Sequence, residues 1–206
     1  DAKRPEPKGR IIETFLAGMV VVVLVLPFQR IVADNFPGYG FIPFFLWSSL
    51  EEIFKFLVIF LFLHKLRAFD EPVDAMIYMI TAALGFAAVE NIASLFQAGD
   101  GAVLSIAVAE SIILRFAGAT LLHSLTSGFV GYYWGVAFVR GASGFILEHS
   151  RELNPLIKGL LIATLLHAVF NYLIITTGPA TFAIVFVVFI AFFLLSDFEK
   201  LKKQDN

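Results

Sequence analysis

The chain contains no cysteine. This excludes a disulfide framework, a thiolate nucleophile and a thiolate metal ligand. Charge is also scarce: Asp, Glu, Lys and Arg make up 16% of the 206 residues, against about 25% in an ordinary soluble domain. There is no basic stripe and no glycine-rich phosphate loop, so neither a nucleic-acid partner nor a nucleotide ligand has support. No His-Glu-x-x-His sequence occurs, so any metal site has to be assembled from separate segments. No signal peptide is visible, because the opening Asp1–Arg10 is polar and the apolar segment after it is long enough to span a bilayer. The chain starts at Asp1 and not at Met, from which we expect that something N-terminal was removed.

Apolar side chains are abundant. They form 59% of the chain, 24 of them phenylalanines, and the mean hydropathy is +0.85. The fold class that fits is all-α: a polytopic transmembrane helical bundle forming one integral membrane domain. We expect about six spans, since roughly 20 apolar residues cross a bilayer as a helix. The expected spans are 11–34, 41–64, 72–97, 103–139, 155–177 and 180–197. The valines of Val20 to Leu26 do not argue for a strand, because a lone span must satisfy its backbone internally. The fourth segment is too long for a simple crossing. A bend is expected near Gly118, with Glu110 and Arg115 at the surface as interfacial anchors.

Lysine and arginine orient the chain, because cytoplasmic loops carry their excess. Lys3, Arg4, Lys8 and Arg10 precede the first span, and Lys65 and Arg67 follow the second. Arg140, Arg151 and Lys158 flank the loop after the fourth, and Lys200, Lys202 and Lys203 follow the sixth. The other side has Arg30, with Arg115 near that surface. The expectation is a multi-pass protein of the cell membrane with both ends of this chain cytoplasmic.

Against this apolar background one stretch stands out: Ser48-Ser49-Leu50-Glu51-Glu52-Ile53-Phe54-Lys55. A charge near the bilayer centre costs about 2.5–3.5 kcal/mol on insertion scales, so such residues point to function. Neighbours on a helix project about 100° apart, so Glu51 and Glu52 cannot face the same way. Lys55, at i+4 and i+3 from them, can neutralise one. The other is left for acid–base work or a metal. Glu90, His123 and His167 interrupt three further spans. Counted from the outer helix ends at 1.5 Å per residue, all of these lie roughly 10–15 Å below the outer surface. Asn171 follows His167 at i+4 and shares its face. His64 and His149 fall in or near cytoplasmic segments and read as bland. Asp70, Glu71, Pro72 and Asp74 read as the start of the third helix.

Two chemistries suit this set. Carboxylates and imidazoles can hold Zn²⁺, which polarises a carbonyl and supplies hydroxide at neutral pH. The ligands would be Glu90, His123 and His167 with Glu51 or Glu52. Alternatively, without metal, a glutamate activates water, one histidine shares its proton, and the other histidine with Asn171 stabilises the oxyanion. The residues leave both open.

The motifs, in order, are Glu51-Glu52-Ile53-Phe54-Lys55, then Phe69-Asp70-Glu71-Pro72-Val73-Asp74, then Leu84-Gly85-Phe86-Ala87-Ala88-Val89-Glu90-Asn91. Arg115, His123, Gly128 and Gly131 on one helix follow, and Leu165-Leu166-His167-Ala168-Val169-Phe170-Asn171 closes the series. Over roughly residues 11–195 the chain resembles the PrsW family of intramembrane proteases, within the wider group that includes the CAAX-prenyl proteases. Lys55 and Glu90 place it on the PrsW side. Some PrsW-like proteins carry aspartate where this chain has Asn171. The resemblance implies catalytic roles for Glu51, Glu52, Glu90, His123, His167 and Asn171. It implies site-1-type cleavage of a single-span membrane protein, such as an anti-sigma factor, near its extracytoplasmic side. It also implies a further hydrophobic helix ahead of Asp1–Arg10, expected to be missing from this chain. The rival readings are a non-catalytic membrane scaffold of the same superfamily and a proton-coupled transporter. A dry, fully paired cluster would favour the scaffold. An internal repeat with broken helices would favour the transporter. A cleft beside Glu51 would favour the protease.

Overall fold

The computed structural model describes residues 5–63, 70–98, 106–139, 155–176 and 180–203. Within them the chain is all helical: α1 (Lys8–Asn35), α2 (Phe41–Leu63), α3 (Asp74–Ala98), α4 (Ile106–Val139), α5 (Pro155–Thr176) and α6 (Ala180–Lys203). By length and composition α1, α3 as far as Phe96, and α5 can each cross a membrane. α2 is as long, with 23 residues. It carries three charges, but Glu51, Glu52 and Lys55 are all turned inward, at most 4% exposed. Its outer face is Ile42, Ile53, Leu57 and Leu61. Across the bundle the outward residues are large and apolar, including Val23, Phe96, Leu161 and Phe192. A helix with satisfied backbone and an apolar exterior is what a hydrocarbon solvent demands. The protein is a helical membrane bundle.

Five helices form a closed ring. α1 packs on α2 and α3, α3 on α4, α4 on α5, and α5 back on α2. α6 lies outside, mainly against α4. The tightest crossing joins α1 to α3. Gly18 of α1 faces the backbone carbonyl of Ala82, and Gly85 of α3 faces that of Phe15. A Cβ at either position would collide with backbone, which cannot yield as a flexible side chain could. Small residues permit such approach where no hydrophobic effect drives helices together.

One apolar cluster fills the ring around Phe56, Ile59, Met79 and Trp134. A second, around Leu122, Phe170, Val187 and Ile190, seats α6. Between and beside these clusters lies the polar group described below. Pro72 sits in the turn before α3, which begins at Asp74. The Asp74 carboxylate reaches back to accept from the amides of Asp70 (3.0 Å) and Glu71 (2.7 Å), closing the helix start as a capping box does. Tyr78 donates to Glu6 and ties the N-terminal segment to α3. α4 is helical without interruption through Gly118. His64 and His149 lie outside the described residues, as do the side chains of Glu110 and Arg115.

Candidate active site

Each helix of the ring contributes at least one polar side chain: Gln29 from α1, Glu51, Glu52 and Lys55 from α2, Glu90 from α3, His123 from α4, and His167 and Asn171 from α5. Glu52 is wholly buried. Its Oε1 accepts from Lys55 Nζ (2.8 Å), Thr126 Oγ1 (2.9 Å) and His167 Nδ1 (2.9 Å), and its Oε2 accepts from Ser127 Oγ (3.2 Å). Lys55, equally buried, lies 3.4 Å from His123 Nδ1 and 5.1 Å from the centre of the Phe86 ring. This is a buried ion pair with its remaining bonding capacity well used, the condition under which such a pair is tolerated.

Glu51, one residue earlier, is treated differently. Its Oε1 accepts from Gln29 Nε2 (2.7 Å). Its Oε2 is buried and has no hydrogen-bond partner among the described residues. Among them the nearest cationic or imidazole nitrogen is His167 Nε2, at 3.6 Å. A buried carboxylate oxygen left without a donor is costly and calls for an explanation. The surroundings offer one. Glu51, His123 and His167 each present a ligand atom within 4.8 Å of the others, and among the described residues they are the group able to hold a metal ion. The two imidazole rings stand edge to face, 4.8 Å apart. Donors of one carboxylate and two imidazoles match a zinc-type site. His167 meets a further requirement of such sites: its Nδ1 is engaged by the Glu52 carboxylate, leaving Nε2 turned toward Glu51.

The expected ligand set was Glu90, His123 and His167 with Glu51 or Glu52. Of these, Glu51 lies within the close group, and Glu90 lies beside it, its Oε2 2.6 Å from His123 Nε2. The Glu90 side chain is 40% exposed. With Glu51 and Asn171 it lines a cavity of about 680 Å³ walled by Leu26, Phe44 and Trp47, with Arg30 and Tyr39 also lining it. Glu90 and Asn171 also border a smaller cavity of about 60 Å³ with His123, Asn91 and Ser94. The polar cluster therefore meets open space on the side of Glu51 and Glu90, and is closed on the side of Glu52.

Three contributors were given no partner from the sequence. Thr126 and Ser127 on α4 hold Glu52, and their place one turn after His123 was the available signal. Gln29 on α1 holds Glu51. A glutamine in an apolar span is itself a signal, but nothing in the sequence says which helix it faces.

An apolar helical bundle with a Glu–His–His group beside a cleft defines a membrane protein with the makings of a hydrolase. Over residues 6–196 the chain matches the family described as PrsW family intramembrane metalloprotease, and it belongs to that family. It is similar to Protease PrsW of Oceanobacillus iheyensis, with 27% identity over 207 residues, covering 99% of this chain and 87% of the relative. It is similar to Protease PrsW of Geobacillus kaustophilus, at 28% identity over 85% of this chain and 71% of the relative. The same-named protein of Clostridioides difficile is 25% identical over 98% of this chain and 82% of its own length. No solved structure matches the chain.

Proposed function

We propose that this chain is an endopeptidase that cleaves single-span membrane proteins, of the anti-sigma-factor kind, within the outer half of the bilayer. Both ends of the chain would be cytoplasmic, as the lysine and arginine bias requires. The observation that carries the reading is the Glu51 carboxylate, grouped with His123 and His167 and lining the 680 Å³ cavity, with its Oε2 unpartnered among the described residues.

In this reading Glu51, His123 and His167 hold a divalent metal, with zinc the best fit to the donors. When bound, the metal supplies Lewis acidity to the scissile carbonyl and makes hydroxide available at neutral pH. The chain's own residues do the rest. Glu52 accepts from His167 Nδ1 and fixes that ring. Lys55 balances the Glu52 charge. Glu90 takes the proton of the attacking water and passes it to the amide nitrogen as the carbon–nitrogen bond breaks. Its contact with His123 and its exposure to the cavity suit that shuttle. Asn171 lies on the same cavity wall, where its amide donates to the oxyanion. The apolar wall of Leu26, Phe44 and Trp47 receives the unwound substrate backbone.

A metal-free version of the same hydrolysis has one distance in its favour. Lys55 Nζ lies 3.4 Å from His123 Nδ1. Donation there fixes the tautomer in which Nε2 donates to Glu90, and Glu51 then takes the proton of the water. The scaffold reading is disfavoured because the cluster is neither closed nor fully paired.

The test is cleavage of a single-span anti-sigma factor by the full chain in liposomes. Cleavage on the extracytoplasmic side of the substrate span, lost on chelation and restored by zinc, is the expected result. Undiminished cleavage by demetallated protein would select the metal-free version. No cleavage of any single-span substrate would overturn the proposal.

A further inference from the structure

We propose that Gln29 of α1 is a positioning residue, holding Glu51 so that its second oxygen faces His167. The inference rests on the reading of Glu51 as a working carboxylate. Glu51 and Glu52 are adjacent, and both are acceptors by nature, yet they receive different donors. Glu52 receives a lysine, which neutralises it as well as orienting it. Glu51 receives an amide, through Gln29 Nε2 at 2.7 Å. A neutral donor fixes the rotation of the carboxylate without cancelling its charge. Oε2 therefore keeps its lone pairs free, with no competing donor among the described residues.

Gln29 is itself held. Its backbone carbonyl accepts from Trp47 Nε1 at 3.2 Å. The adjacent Phe28 packs on Phe54 of α2, ring centres 5.0 Å apart. Pro27 lies two residues earlier inside α1. It has no N–H to give to the preceding turn, so the helix is interrupted in its hydrogen bonding where these contacts take over. Three successive residues of α1 thus depart from a plain membrane-spanning role at the level of Glu51. Residues that orient a metal ligand from behind typically change affinity or activity about 10–100-fold when lost.

The test is a double-mutant cycle between Gln29→Met, which keeps the length and removes the donor, and Glu51→Gln. Zinc affinity is measured on every variant, with kcat and KM wherever cleavage is detectable. Gln29→Met is expected to lower zinc affinity and kcat by about 10–100-fold each, with KM unchanged. In the Glu51→Gln background the same change is expected to do nothing further, because its target is gone. Trp47→Phe, which releases the Gln29 backbone, is expected to act in the same direction by less. It also serves if Gln29→Met does not fold. Additive effects in the cycle, or wild-type zinc affinity and kcat in Gln29→Met, would overturn the role of Gln29 while leaving Glu51 in place. Wild-type zinc affinity and cleavage in Glu51→Gln alone would overturn the parent reading, and the role of Gln29 with it.

Discussion

The polar cluster has two halves, and they differ in almost everything except residue type. Around Glu52 every partner is present: a lysine, two hydroxyls and an imidazole close on one carboxylate, with no exposure. Around Glu51 one oxygen is held and the other is not, and open space begins beside it. The half-exposed Glu90 belongs with the second half. The difference separates holding from chemistry. A carboxylate whose bonding capacity is filled can orient a neighbour but has nothing left for a substrate or an ion. A buried carboxylate with an idle oxygen is unstable on its own account, and persists where something else engages it.

The comparison breaks most readily at Glu51. Glu51→Gln is expected to leave the helical content and thermal stability intact while reducing cleavage by about 10³–10⁴-fold, read as product formed from a single-span substrate in liposomes. Glu52→Gln is expected to behave in the opposite sense. It leaves Lys55 buried without its counter-ion, a loss of about 3–5 kcal/mol, visible as a fall in the thermal midpoint. Combining Glu52→Leu with Lys55→Met should recover most of that stability, because an apolar pair can replace a buried ion pair. It should not recover activity, since His167 Nδ1 still lacks its acceptor. Asn171→Ala is a finer probe of the open half: kcat lower by about 100-fold, with KM and the thermal midpoint unchanged. The smallest effect belongs to the cavity lining. Arg30 pairs with Asp34 on its own helix, and both side chains are well exposed. Arg30→Gln should alter stability by less than about 0.5 kcal/mol in a denaturation series.

Much of this cluster could be read from residues alone. Glu51, Glu52, Lys55, Glu90, His123 and His167 interrupt apolar runs where ionisable groups are expensive, and counting turns puts Glu51, Glu90, His123 and His167 at a similar depth. The structure brings these side chains together. What the sequence left open was the division of labour between two neighbouring glutamates. Adjacent helix positions point about 100° apart, but the rotation of α2 in the bundle is set by its contacts with α1 and α5. No local pattern reports that rotation. For the same reason Gln29 was passed over: its meaning depends on Glu51 lying opposite, a relation between two helices. Glu90 illustrates a third limit, since helix counting gives its depth but not its 2.6 Å contact with His123.

The most direct measurement is the metal content of the purified chain, by mass spectrometry, for the wild type, Glu51→Gln and His123→Ala. The account predicts about one zinc per chain in the wild type, lost in both variants. A wild type that takes up no metal after zinc is supplied and excess removed, or variants that keep it in full, would contradict the assignment of Glu51, His123 and His167 as the metal-holding centre.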